Sequence, residues 1–494
     1  MSTRNLLAFD LGAESGRGIV GRFDGQRLTL EVVHRFPNGP VRVGDHLYWD
    51  ILRLWQEMQT GLRIAAGAGP LDSVGVDTWG VDFALLGRGD VLLGNPRHYR
   101  DPHTEGIMEH TFQTVPAAEV FAETGIQFMR FNSLFQLLAL RRDGSPLLEA
   151  ARNLLFIPDL LHFWLCGVKA NELSIASTSQ AYDPTTRRWA WPLLERLDVS
   201  AALFGRIVPP GRKLGTLRPA VASDTGLSAA VPIVTPASHD TGAAVAAVPA
   251  EGADWCYLSS GTWSLLGLEL DRPVINDAVR AANITNEVGV GGTIRFLKNI
   301  MGLWLVQECR RAWEKEGRAF TYDQLVEQAQ AAPAFASIVE PDHASFLLPA
   351  HMPTALADFC GQTAQPPPSS PGAAVRCCLE SLAFKYRWVL EQLERLTNQR
   401  ITTIHIVGGG SQNRLLNQFT ANACGRVVVA GPVEATAIGN VLTQALGLGL
   451  VQSLADVRRI VRASFPVERY EPQATAAWDE GYQRFLAIRA KLAP

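Results

Sequence analysis

Apolar and polar positions fall into two stretches of the chain that begin alike. The first, "NLLAFDLGAESGRGIVGRFDGQRLTLEVVHRF", is an apolar run, a polar turn, a second run, an Asp-Gly turn and a third run. That alternation predicts an antiparallel meander. Near residue 255 the device returns in "DWCYLSSGTWSLLGLEL": strand, Ser/Gly/Thr turn, strand. The closing segments also match. "VPIVTPASHDTGAAVAAV" reads as strand, loop and small-residue helix. In the later stretch Ile401 to Val407 is a β-branched strand, followed by three glycines and a helix carrying Leu415, Leu416 and Phe419. Strand "RVVVA", a loop with Pro432 and a small-residue helix from about Ala435 complete it. Asp240 and Glu434 thereby take analogous places. The pattern predicts an α/β protein of two domains, 1–250 and 251–494, each a mixed sheet flanked by helices.

A chain of 494 residues is too long for one ordinary core, which agrees with two domains. With 47% hydrophobic and 19% charged residues it reads as globular. The formal net charge is -3, and no Lys/Arg cluster marks a nucleic-acid footprint. "MSTRNLLAFDLG" meets Asp10 after a short apolar run, unlike a signal peptide. The longer apolar stretch "LLFIPDLLHFWLCGV" carries Pro158, Asp159 and His162, which argues against a membrane span. No nucleic-acid or membrane partner is expected, and cytoplasmic residence follows by default. The seven cysteines lack metal-ligand spacing and are expected to be buried thiols. Cys360 and Cys377 bracket a Pro-rich loop, but a bridge between them is not expected in a reducing compartment.

The candidate chemistry sits at the turns. "DLGAESGRG" places Asp10 at a strand end, with Gly12, Gly16 and Gly18 around the turn and Arg17 beside them. Converging backbone N–H groups and a guanidinium suit a phosphate, and Asp10 suits Mg²⁺. An ordinary hairpin turn is the competing reading. "SSGTWS" is the mirror element, and Gly408–Gly410 lie between a strand and a helix, where a nucleotide could approach bare backbone. Neither GxxxxGK[ST] nor GxGxxG occurs. Asp240, at the mouth of "TGAAVAAV", is either a helix cap or a carboxylate base at a cleft floor. In "KNIMGLWLVQ", Asn299, Leu303 and Gln307 stand at i, i+4 and i+8, which predicts one shared helix face.

In order, these signals resemble the FGGY carbohydrate kinases of the actin-like ATPase superfamily. The residues that carry the resemblance are "DLGAESGR", "DTWGVDFALL", "GIQFMRFNSLFQLLAL", "ASHDTGAAV", "YLSSGTWSLLG", "AANITNE", "LKNIMGLWLVQECR", "HIVGGGSQNRLLNQ" and "AGPVEATAIGN". They run from residue 10 to about 440. The resemblance implies ribonuclease-H-like domains with the active site in the cleft between them. It implies Asp240 as the base that takes the sugar hydroxyl proton, with Gly80, His239, Thr241 and Asn299 on the sugar. Trp79 could stack there or belong to the core. Ala13, Glu14, Ser15, Gly16, Arg17, Thr262, Gln307 and Gly409 would lie along ATP, and Asp10 would hold Mg²⁺. At position 14 related kinases carry a small residue; a carboxylate there repels triphosphate unless it turns away or meets metal. The sugar-side segments imply L-rhamnulose, phosphorylated at its 1-hydroxyl, by a monomer or homodimer. The alternatives are kinases of this family for L-fuculose, L-xylulose, D-xylulose or glycerol, and an actin-like chaperone in which ATP drives a shape change.

Overall fold

A computed structural model of the protein describes residues 3–492; the first two residues and the last two lie outside it. The meander is present. Arg4–Leu11, Ser15–Phe23 and Leu28–Pro37 pair antiparallel in sequence order. Arg4–Leu11 also lies parallel to Ser73–Thr78, which puts it inside a six-stranded mixed sheet. Both its faces are covered, which is why "LLAF" is a continuous apolar run and not an alternation. Pro232–Val234 extends the sheet parallel to Ser73–Thr78, and Lys213–Thr216 closes that edge antiparallel.

Contacts divide the chain into two units. The first comprises 1–249, 269–296 and 435–465, and the second 250–268, 297–434 and 466–494. In the second, Trp255–Ser260 and Trp263–Leu270 form the repeated antiparallel hairpin. Trp255–Ser260 is parallel to Thr403–Val407, and that strand to Val427–Ala430; Glu468–Tyr470 is antiparallel at the edge. A long helix, Pro371–Thr397, packs beside Arg414–Cys424. It starts where Ser370 accepts the Ala373 N–H and Pro371 enters the first turn.

Small residues set helix spacing in the first unit. Asp240–Ala246 packs on Ala435–Gly447 so closely that a Cβ at Gly439 would collide with the Ala243 carbonyl. Buried side chains tie the second of these helices to the sheet. Ser73 donates to Gln444 (2.6 Å), Gln444 donates to the Leu7 carbonyl (3.0 Å) and to Asn440 (2.6 Å), and Asn440 donates to Asp77 (2.5 Å).

The stretch "LLFIPDLLHFWLCGV" divides into the strand Asn153–Phe156 and the ten-residue helix Ile157–Cys166. Among the described residues no helix is long and apolar enough to cross a membrane. All seven cysteines are free thiols, Cys360 and Cys377 included. One expectation fails. Asn299 lies on the strand Ile294–Met301, whereas Gln307 lies on the helix that begins at Trp304, so the two share no helix face. Gly302 separates the two elements. The strand persists to Met301 because sheet pairing and burial on both faces outweigh a polar spacing that suits either element.

Gly439→Ala should destabilise the protein by about 3 kcal/mol or more, because relief requires backbone movement. Gly361→Ala has open space inside the helix Met352–Gln362, so it should be neutral or stabilise by up to about 1 kcal/mol. Thermal melts of the two variants check the pair.

Candidate active site

The first hairpin and the 240–246 helix bring three carboxylates to one end of the first sheet. Asp10 and Asp77 are register neighbours on parallel strands. Thr78 makes a parallel bridge with His239, its N–H donating to the Ser238 carbonyl (2.9 Å), which sets Asp240 beyond the strand ends. Asp10 is paired at 2.5 Å with Arg17, its cross-strand neighbour. Asp77 is fully buried. Burial and the nearby Asp10 and Asp240 charges push its carboxyl far up, against the opposing Asn440 hydrogen bond. Its Oδ1 is buried without a hydrogen-bond partner.

Asp240 differs from both. Its side chain is 29% exposed, against 6% for Asp10. Burial, first of all, pushes the pKa of its carboxyl up; the His239 contact lowers it and Asp10 raises it. His239, not Asp240, is the capping position of the helix. The Asp240 carboxylate instead accepts the Thr241 N–H (2.5 Å) and hydroxyl (3.1 Å). One face of the carboxylate is held and another is open.

Gly80 stands in front of His239: a Cβ there would lie 3.2 Å from Nε2 and 3.5 Å from the Thr178 hydroxyl. The next residue, Val81, has φ 66°. A β-branched residue there is strained by about 1–3 kcal/mol. It is held by its N–H on the Thr178 hydroxyl (3.2 Å) and by the Ser133 hydroxyl on its carbonyl (2.5 Å). Asp82, fully buried, gathers the Trp49 indole (2.6 Å), the Trp79 indole (3.0 Å), the Tyr99 N–H (3.1 Å) and the Gln136 amide (2.8 Å). Trp79 is therefore a core aromatic, 3.8 Å from Trp49 between ring centres. Burial still pushes the Asp82 carboxyl up to about 7, the four donors opposing it.

On the first hairpin, Ala13 and Glu14 form the turn and Ser15, Gly16 and Arg17 open the second strand. The Glu14 carbonyl accepts the Asn38 N–H (2.9 Å), which fixes the backbone of the turn whatever its side chain does.

The second unit holds a separate cluster. The turn Gly261–Thr262 is braced by the head of the helix Trp304–Lys315: Gly302 and Trp304 donate to the Thr262 carbonyl (3.2 and 3.1 Å) and Leu303 to that of Gly261 (3.0 Å). Gly408 adopts φ 86°, and a Cβ at Gly410 would collide with the Ser260 hydroxyl, so the glycine turn lies against the hairpin. Gly409 is exposed with open space above its Cα. Gln307 has a buried Oε1 without a hydrogen-bond partner. Thr262, Gln307 and Gly409 thus belong to one unit, as does half-buried Asn299 on its strand. Ala13 to Arg17, Gly80, His239, Asp240 and Thr241 belong to the other.

The carboxylate oxygens of Asp10 are of the kind that a hard divalent cation takes. Among the described residues no group of three His, Cys, Asp or Glu side chains is poised to hold a metal ion. The donor set fits Mg²⁺ arriving with phosphate oxygens and water, not an ion caged by protein alone.

Sequence reading passed over Asp77, Asp82, Asn440, Glu287 and Arg295. The first two were legible as carboxylates inside the apolar run "VGVDTWGVDF", and Glu287 as the acid of "AANITNE". Asn440 closes the quoted "AGPVEATAIGN", but nothing local to it pointed to Asp77.

Comparison with known proteins gives the same picture. The N-terminal domain of the FGGY family of carbohydrate kinases matches residues 6–247, and the C-terminal domain residues 256–448. Rhamnulokinase of Bacteroides thetaiotaomicron is 49% identical over 98% of this chain and 99% of its own. That of Pectobacterium carotovorum subsp. carotovorum is 41% identical over 99% and 97%. Among solved structures, xylulose kinase from Lactobacillus acidophilus superposes with TM-score 0.82 at 16% identity, covering 99% of this chain and 98% of that one. Plasmodium falciparum glycerol kinase with ADP gives 0.76 at 14%, covering 99% and 98%. At such identity these two establish the fold: two mixed α/β sheet domains flanked by helices.

The Asp82 carboxyl keeps its proton to about pH 7 when folded but releases it near 4 when unfolded. Between these values the folded protein binds the extra proton, so stability falls as pH rises through the window. From pH 5 to 8 the wild type should lose roughly 2–3 kcal/mol relative to Asp82→Asn. Urea unfolding of both at the two pH values measures it; parallel pH dependence would remove Asp82 as the source.

Proposed function

Because the chain belongs to the FGGY family of carbohydrate kinases, we propose that it transfers the γ-phosphoryl group of ATP to the 1-hydroxyl of L-rhamnulose. The products are L-rhamnulose 1-phosphate and ADP. The near-complete mutual coverage with proteins named rhamnulokinase supports the sugar. The observation that carries the chemistry is Asp240. It alone of the three clustered carboxylates combines an open face with a raised pKa.

In this reading the sugar lies against Gly80, His239 and Thr241, with Asn299 as a further contact. The primary hydroxyl meets the open oxygen of Asp240. A carboxylate with raised proton affinity is a better base near neutrality. As the hydroxyl oxygen bonds to the γ-phosphorus, its proton passes to Asp240, and ADP leaves with the bridging oxygen. Transfer of this kind depends on alignment and charge compensation more than on covalent help. Ala13 to Gly16 offer backbone along the phosphates and Arg17 offers a guanidinium. Thr262 and Gln307 supply polar contacts to ATP, and Gly409 leaves bare backbone for the nucleotide. Asp10 would hold Mg²⁺ through a carboxylate oxygen or a retained water. When bound, Mg²⁺ neutralises phosphate charge beside carboxylates that otherwise repel it. The half 1–250 carries the sugar-binding residues, the base and the first phosphate hairpin, and 251–494 the second phosphate hairpin and the nucleotide-binding glycine turn.

An ADP-release screen over L-rhamnulose, L-fuculose, L-xylulose, D-xylulose and glycerol tests the assignment. L-Rhamnulose should give the highest kcat/KM. A higher value for D-xylulose or glycerol would overturn the sugar and leave the kinase. Fast ATP turnover with no sugar added would overturn the kinase.

A further inference from the structure

Behind His239 lies a charged pair that the transfer reaction does not itself use. Arg295 is completely buried, on the strand Ile294–Met301, and Glu287 is buried on the neighbouring strand Thr285–Val288. The Arg295 guanidinium lies 3.1 Å from the Glu287 carboxylate. Its Nε donates to the Val288 carbonyl (3.2 Å), and its second terminal nitrogen lies 3.1 Å from His239 Nδ1. The Glu287 carboxylate is 3.4 Å from the same Nδ1. His239 Nε2 faces the other way, 3.5 Å from the Asp240 carboxylate.

Two protonation patterns compete at Nδ1. A protonated Nδ1 would donate to Glu287; an unprotonated one would accept from Arg295. A guanidinium has only donors, so it can meet Nδ1 only where that atom offers a lone pair. The Arg295 contact is the shorter and has hydrogen-bond geometry, whereas the Glu287 contact is an ion-pair distance only. This geometry favours Nδ1 as the acceptor, with the ring proton on Nε2.

We propose that Arg295 and Glu287 are positioning residues that fix His239 as its Nε2–H tautomer, aimed at Asp240 and the sugar. Glu287 aligns the guanidinium, and the guanidinium blocks protonation at Nδ1. The Nε2–H then donates to the Asp240 carboxylate or to a sugar hydroxyl. The opposite tautomer would present a lone pair to the carboxylate and repel it. The backbone that carries the ring is fixed: the His239 N–H is held by the Ser174 hydroxyl (3.1 Å), and the preceding N–H by Glu172 (3.0 Å). The catalytic part of this inference rests on Asp240 being the base; the tautomer does not.

Nitrogen NMR of the full chain labelled in its histidines reads the tautomer directly, with the His239 signals identified by their loss in His239→Gln. The wild type should show Nδ1 unprotonated and Nε2 protonated. Arg295→Met frees Nδ1 to donate to Glu287, so the protonation pattern should change. Its kcat should fall roughly tenfold or more with the KM for ATP unchanged. Arg295→Met combined with Glu287→Gln buries no charge and supplies an amide donor to Nδ1. The pair should restore the wild-type pattern and recover turnover. A protonated Nδ1 in the wild type, or the wild-type pattern in Arg295→Met, overturns the proposal; if that variant fails to fold, the wild-type spectrum decides it. Normal turnover in Asp240→Asn would instead overturn the base, leaving the tautomer to stand on the spectra.

Discussion

Electrostatic crowding at one end of the first sheet is the constraint on which the site depends. Parallel pairing of Arg4–Leu11 with Ser73–Thr78 makes Asp10 and Asp77 neighbours by register, and the helix that begins at Asp240 adds a third carboxylate. Like charges at short range in a poorly solvated place cannot all ionise at ordinary cost. The structure answers with Arg17 on Asp10, with Asn440 on Asp77, and with burial that raises the proton affinity of Asp77. Asp240 is left partly open, with its proton affinity raised. A cluster balanced in this way gains from a cation. In the function we propose, the same imbalance suits Asp240 to act as the base.

Packing decides where that cluster can form. The close approach at Gly439 lets Ala435–Gly447 deliver Asn440 and Gln444 to the sheet, so Asp77 takes a hydrogen bond from a helix more than 350 positions along the chain. Around His239 the ordering continues outward. Strained Val81 and the four donors on Asp82 hold one side, and Arg295 with Glu287 the other. Groups that must meet a substrate at fixed geometry are thus fixed before it arrives, which is the usual source of catalytic advantage in phosphoryl transfer.

Much of this was legible in the sequence. The two hairpins announced themselves because a strand–turn–strand pattern is local, and "SHDTG" placed a carboxylate at a helix head. What escaped had non-local causes. The polar spacing of Asn299, Leu303 and Gln307 suits a helix, but sheet pairing claims the first of them for a strand. Trp79 looked equally fit for sugar stacking until Asp82 was seen to turn its indole inward. Asn440 and Arg295 act through partners distant in sequence, so no window around either could have flagged them.

Single-turnover transfer from ATP to L-rhamnulose in Asp240→Asn tests the central claim most directly, measured by rapid quench beside ATP affinity and melting temperature. Asn keeps the size of the side chain and can accept from Thr241, but it cannot take the proton. The account predicts transfer slowed by about 10²–10⁴-fold, with ATP affinity nearly unchanged and a melting temperature level with the wild type or above it, since one repelling charge is gone. Transfer at the wild-type rate, or a loss explained wholly by unfolding, would contradict it.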